Sequence, residues 1–92
     1  MLMDRADKQL KRSRVSYVFA EGASIGIGLA DDDSGDVVVR EVQDGSQAQV
    51  HGVPIGSVVC EVNGTSVAGM KAREVAKAVS VAGRPLRLQV EF

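Results

Sequence analysis

A chain of 92 residues with 45% hydrophobic and 25% charged side chains has room for one small folded domain and is too apolar for a disordered one. One cysteine (Cys60) and one histidine (His51) exclude an internal disulfide and a structural zinc site, and no apolar run approaches the roughly 20 residues of a membrane helix. The net charge of −1 hides an asymmetry: residues 1–14 carry five basic groups against two acidic, and residues 15–92 carry six against ten.

Residues 1–13 read as a basic tail, either disordered or a frayed helix with Leu2, Ala6 and Leu10 along one side. Three apolar residues are too few to hold such a helix alone. The tail carries no apolar segment of the kind a signal peptide needs, so the expected compartment is the cytoplasm. Asp4 and Asp7 interrupt its basic run, which favours a solvated linker over a membrane-binding arm.

From Arg14 the period changes. Val15, Tyr17 and Phe19 alternate with Ser16, Val18 and Ala20, the pattern of a strand with one buried face. The next stretch, Ser24-Ile25-Gly26-Ile27-Gly28-Leu29-Ala30, interleaves glycine with large aliphatics and leads into a short strand. Asp31-Asp32-Asp33-Ser34-Gly35-Asp36 is a turn by composition, and residues 37–42 form a β-branched strand. Ser46 caps a short helix over residues 47–50 that His51-Gly52 ends. Residues 58–62 read as a strand, Asn63-Gly64 as a tight hairpin turn and residues 65–67 as its short return. Residues 71–82 have helical spacing, with Val75, Val79 and Ala82 on one face and Ala72, Ala76 and Ala78 beside it. Gly83 stops that helix. Residues 86–92 alternate cleanly and make the last strand. The fold class is α+β: a small, partly open antiparallel barrel or sandwich of five to six strands, capped by two helices.

The glycine-aliphatic stretch is the chemically informative one. Glycine between aliphatics lets consecutive backbone N–H groups converge, and convergent donors make an anion nest. Flanking Ile and Leu side chains line an apolar pocket beside it. A nest over a greasy pocket suits the C-terminus of a polypeptide, with the strand that follows offering an edge to the rest of the peptide.

Several motifs then occur together in an order that resembles a PDZ domain. Ile25-Gly26-Ile27 is similar to the family's carboxylate-binding loop. The run from Val39 to Ala48, with Gly45-Ser46 inside it, resembles the strand and helix start that follow. Gly56-Ser57-Val58-Val59-Cys60-Glu61-Val62-Asn63-Gly64 resembles the family's Gly-Asp-x-Ile-x-x-Val-Asn-Gly signature, with Ser57 in place of the Asp. Met70-Lys71-Ala72 sits where the second helix begins. The resemblance spans residues 14–92 and the non-permuted topology of eukaryotic scaffolding proteins.

The resemblance implies a non-catalytic module, without metal or cofactor, that binds the C-terminal peptides of other proteins by β-strand addition. Ile25, Gly26 and Ile27 would present backbone N–H groups to the carboxylate. Ile25, Ile27, Leu29, Ala76 and Val79 would line the pocket for the last side chain. Gly28, Ala30, Ala72 and Ala76 would contact the peptide upstream. Ser/Thr-selective members carry His where this sequence has Ala72, so the expected preference two residues before the end is apolar. Many members place a cation just before the loop; here that stretch is Ala20-Glu21-Gly22-Ala23-Ser24. About 30 bound heavy atoms at roughly −0.3 kcal/mol each bound the affinity near micromolar, which suits a reversible tether. The module is expected to be a monomer that does not bind nucleic acid and touches membranes only weakly or through partners, with a location at the inner membrane surface following from those partners. The alternative is an interaction domain for dimerisation, internal motifs or lipid.

The other candidates have bland readings. The aspartates at 31, 32, 33 and 36 lack the spacing of a calcium loop and read as a solvated turn, with steering of basic ligands as the functional option. Cys60 reads as a core thiol and His51 as a surface side chain. Gly26-x-Gly28 lacks the third glycine and the βαβ setting of a dinucleotide site.

Overall fold

The computed structural model describes residues 13–22 and 24–92. The tail over residues 1–12, where a frayed helix was one expectation, lies outside them. The described residues form β1 (Arg14–Phe19), β2 (Ile27–Asp31), β3 (Val37–Val42), α1 (Gln47–His51), β4 (Val58–Val62), β5 (Thr65–Ser66), α2 (Ala72–Ala82) and β6 (Leu86–Glu91). The order matches the sequence reading, and the boundaries agree to within a residue or two.

Local chemistry accounts for the boundaries. Ser46 has an extended backbone, and its hydroxyl accepts a bond from the Gln49 N–H, capping α1. Gly52 closes α1 at φ +75°, donating to the carbonyls of Ala48 and Gln49. Asn63 (φ +52°) and Gly64 (φ +82°) form the hairpin turn between β4 and β5. The Asn63 side chain also accepts from the Arg87 N–H at 2.7 Å, tying the turn to β6.

The strands form one antiparallel sheet in the order β1-β6-β4-β3-β2, with β5 added to β4. β1 and β2 are therefore the outer strands, and β2 pairs only with β3 among the described residues. The core is aliphatic: Val37, Val39, Val59, Val62, Val75, Leu86, Leu88 and Val90 surround Phe19, the one buried aromatic ring among the described residues. Fully burying side chains of this kind contributes about 1.5–3 kcal/mol each. Phe19 and Tyr17 meet the exposed His51 ring from α1, with Phe19 edge-on at 5.3 Å between centroids.

Two expectations need correction. Ala82 is exposed, because only the first two turns of α2 are pressed onto the sheet: Ala72 and Val75 are buried, and Val79 is half-buried. Cys60 is only half-buried and is not a core thiol. The pairing of β4 with β6 shifts register between Val59 and Glu61, so Val59 and Val62 both reach the core although they lie three apart. Cys60 is the residue left over, outside the core beside Arg14 and Glu91. Partial burial, reinforced by the Glu91 charge, pushes its thiol pKa up, which disfavours the reactive thiolate.

Candidate functional site

The site is a groove between β2 and α2, about 790 Å³ in volume. One wall is β2, where Ile27 and Leu29 face in, and the opposite wall is α2, where Ala72, Ala76 and Val79 face in. Leu86 and Leu88 of β6 run beneath and form the floor. At one end of the groove the Asp31 carboxylate, at the end of β2, accepts a 2.7 Å bond from the N–H of Ala72. This bond pins the start of α2 to the end of β2, so helix and strand run antiparallel. The end of α2 therefore lies at the start of β2, beside Ser24, Ile25 and Gly26.

The loop at that second end is lashed to α1. The Gln47 side chain accepts from the Ala20 N–H at 2.8 Å and donates to the Ala20 carbonyl at 2.6 Å. The backbone N–H groups of Gln47, Ala48 and Gln43 then donate to the carbonyls of Ser24, Ile25 and Gly26 at 3.1, 3.0 and 2.8 Å. In a trans peptide the carbonyl of one residue and the N–H of the next point in opposite directions. Three successive carbonyls turned toward α1 and the turn before it therefore leave the N–H groups of Ile25, Gly26 and Ile27 on the opposite side. Those three residues line the groove.

Gly26 makes this possible twice over. Its φ is +74°, in the left-handed region that favours glycine. A Cβ placed there would also overlap the side chain of Ser46. Ser46 is itself held, donating from its hydroxyl to the Gln43 carbonyl at 2.7 Å while capping α1. Loop, turn and helix cap thus form one hydrogen-bonded unit.

Of the residues singled out from sequence, Ile25, Gly26, Ile27, Leu29, Ala72, Ala76 and Val79 all line the groove. Ile25 belongs mainly to the core, with 7% of its surface exposed. Gly28 and Ala30 do not line the groove; they alternate to the other side of β2, and Gly28 lies against Glu41 of β3. What these two offer the groove is backbone along the outer edge of β2.

The sequence reading missed several lining residues. Leu86 and Leu88 were expected only as the buried face of a strand. Lys71, Arg73 and Arg84 also line the groove, and Asp31 is its one acidic residue among those described. The groove is therefore basic within an acidic domain. Asp31 caps a helix, and the Asp32 carboxylate accepts from the N–H groups of Ser34 and Asp36 at 2.9 and 2.8 Å. Both aspartates organise backbone. Ser57, in place of the family's Asp, is fully buried and donates its hydroxyl to the Pro54 carbonyl.

The family model that matches this sequence is that of the PDZ domain, over residues 14–91. Among solved structures, the protein is similar to the second PDZ domain of Dlg1 from the choanoflagellate Monosiga brevicollis, in two crystal forms. One form has a TM-score of 0.72 at 18% identity, covering 88% of this chain and 98% of the other. The second has a TM-score of 0.75 at 15% identity, covering 85% and 90%. At these identities the likeness concerns the fold. No curated protein matches in sequence.

Proposed function

The chain belongs to the PDZ domain family, a family of peptide-binding interaction modules that are generally non-catalytic, and from that premise we propose that it captures the C-termini of partner proteins. The last residues of the partner add as a strand along the outer edge of β2, antiparallel to it, as in β-augmentation generally. The terminal carboxylate meets the N–H groups of Ile25, Gly26 and Ile27. The last side chain enters the apolar end of the groove between Ile27, Leu29 and Val79, above Leu86 and Leu88.

One observation carries this reading: the carbonyls of Ser24, Ile25 and Gly26 are engaged by α1 and its preceding turn, so the paired N–H groups face away from it at the end of the apolar groove. Such donors are in place before the ligand arrives, and little ordering cost is left to binding.

At the upstream end Ala72 and Ala76 carry no polar side-chain atom, and the Ala72 N–H is already bonded to Asp31. A Ser or Thr hydroxyl resting on these two methyl groups would gain no hydrogen bond from them, whereas an apolar side chain packs on them. The preferred residue two places before the end is therefore apolar. We read the module as a monomeric cytoplasmic tether for scaffold assembly.

The test is titration with a library of peptides followed by amide chemical-shift mapping. The expected result is at least tenfold tighter binding of apolar-ending free acids than of the same peptides as C-terminal amides, with the largest shifts at Ile25, Gly26 and Ile27. Equal binding of acid and amide would sink the reading.

A further inference from the structure

We infer that Arg84 supplies the counter-charge for the ligand's terminal carboxylate, replacing a cation that the loop itself lacks. The inference rests on the C-terminal reading above and adds a residue to it.

The segment entering the loop, residues 20–24, carries one charge, the acidic Glu21. Yet a basic side chain lines the groove from the other wall. Because α2 runs antiparallel to β2, its last turn and the Gly83-Arg84 that follow lie at the loop end. Gly83 ends the helix at φ +73° and ψ −160°, a conformation essentially confined to glycine, and the backbone turns there onto β6. Arg84 comes directly after that turn, half-buried and lining the groove, two residues before Leu86 on the floor.

Its hydrogen bonding is incomplete. A guanidinium carries five donors in a planar fork. Among the described residues the Arg84 Nε is buried without a partner, and one Nη reaches the Gly83 carbonyl at 3.5 Å, the limit of a bond. Among the described residues no carboxylate forms an ion pair with it. The one acidic residue described in the groove, Asp31, is held at the far end by Ala72, with Lys71 and Arg73 flanking that position on α2. The Nη groups of the same side chain, with only that long bond to Gly83, leave donors for an arriving carboxylate. The fork geometry suits a carboxylate better than any other group a peptide end presents.

The probe is the tightest-binding member of a synthetic library of octapeptides ending in Val, made as free acid and as C-terminal amide. Binding is measured by isothermal titration to the 92-residue chain and to its Arg84→Ala, Arg84→Gln and Arg84→Lys variants, with thermal melts to show that each variant is folded. In the parent protein the acid is expected to bind more tightly than the amide. Arg84→Ala and Arg84→Gln should each weaken acid binding about tenfold to a hundredfold, the usual size of one charge-assisted bond, with amide binding unchanged. Arg84→Lys should keep most of the acid preference. The salt dependence of acid binding should flatten in Arg84→Ala and Arg84→Gln.

If the acid-to-amide ratio in folded Arg84→Ala equals that of the parent protein, the inference is overturned, and the loop N–H groups alone account for the proposed function. If the parent protein binds acid and amide equally, or no library member binds, the C-terminal reading falls and the inference with it.

Discussion

The two ends of the groove are built differently. The loop itself is made from backbone: three carbonyls are tied to α1 and its preceding turn, three N–H groups are turned outward, and Gly26 sits where no side chain fits. The far end is made from side chains: the Asp31 carboxylate holds the start of α2, and Ala72 and Ala76 leave room around it. On the proposed function, backbone donors would recognise what every peptide end shares and side chains would distinguish one peptide from another. The fixed part of recognition would then sit at the loop end and the adjustable part at the far end.

The sharpest way to break this contrast is Gly26→Val. A left-handed conformation costs a side-chain-bearing residue about 1–2 kcal/mol, and the overlap with Ser46 adds a comparable amount. The expected loss is about 3 kcal/mol, a fall in melting temperature of roughly 15 °C, together with loss of peptide binding. A variant that melts within a few degrees of the parent and still prefers free acids would remove the close-packed loop as the basis of the site.

Asp31→Ala attacks the other end. It removes one carboxylate bond to a helix N-terminus, worth about 1 kcal/mol, or roughly 5 °C in melting temperature. Selectivity for upstream side chains should relax as α2 is released from β2, while the acid-to-amide ratio stays as it was. A changed ratio would show that the two ends are not separable.

The smallest effect is expected from Ala72→His, which leaves the loop untouched and adds a hydrogen-bonding group to the far end. Peptides with Ser or Thr two residues before the end should gain about threefold to fivefold over Val at that position, the size of one neutral hydrogen bond. Paired titrations of the two peptides measure it, and an unchanged ratio would place the upstream side chain away from Ala72.

Much of the fold was legible from neighbouring residues. Alternation located β1 and β6. The Ser46 cap and Gly52 bracketed α1, and Asn63-Gly64 set the hairpin. Where the reading failed, strand pairing had overridden the local pattern. A two-residue period across β4 predicts Cys60 as a core thiol, but the register shift against β6 inserts an extra residue and sends Val59 and Val62 inward instead. Ala82 follows the helical period of its neighbours, yet α2 leaves the sheet before reaching it. The aspartates of residues 31–36 looked alike in sequence. Their work differs because Asp31 ends a strand beside a helix 41 residues later, whereas Asp32 folds its own turn.

By itself, then, the sequence determined the elements, their order and the residues of the loop, because turn chemistry and periodicity are settled within a few neighbouring positions. Only the tertiary structure decided the groove: which way the loop N–H groups face, that Leu86 and Leu88 lie beneath it, that Asp31 clamps α2, and that Arg84 lines it just after α2 ends. Those relations join segments tens of residues apart. They follow from β2 standing at the sheet's edge with α2 laid antiparallel beside it, an arrangement that no local pattern encodes.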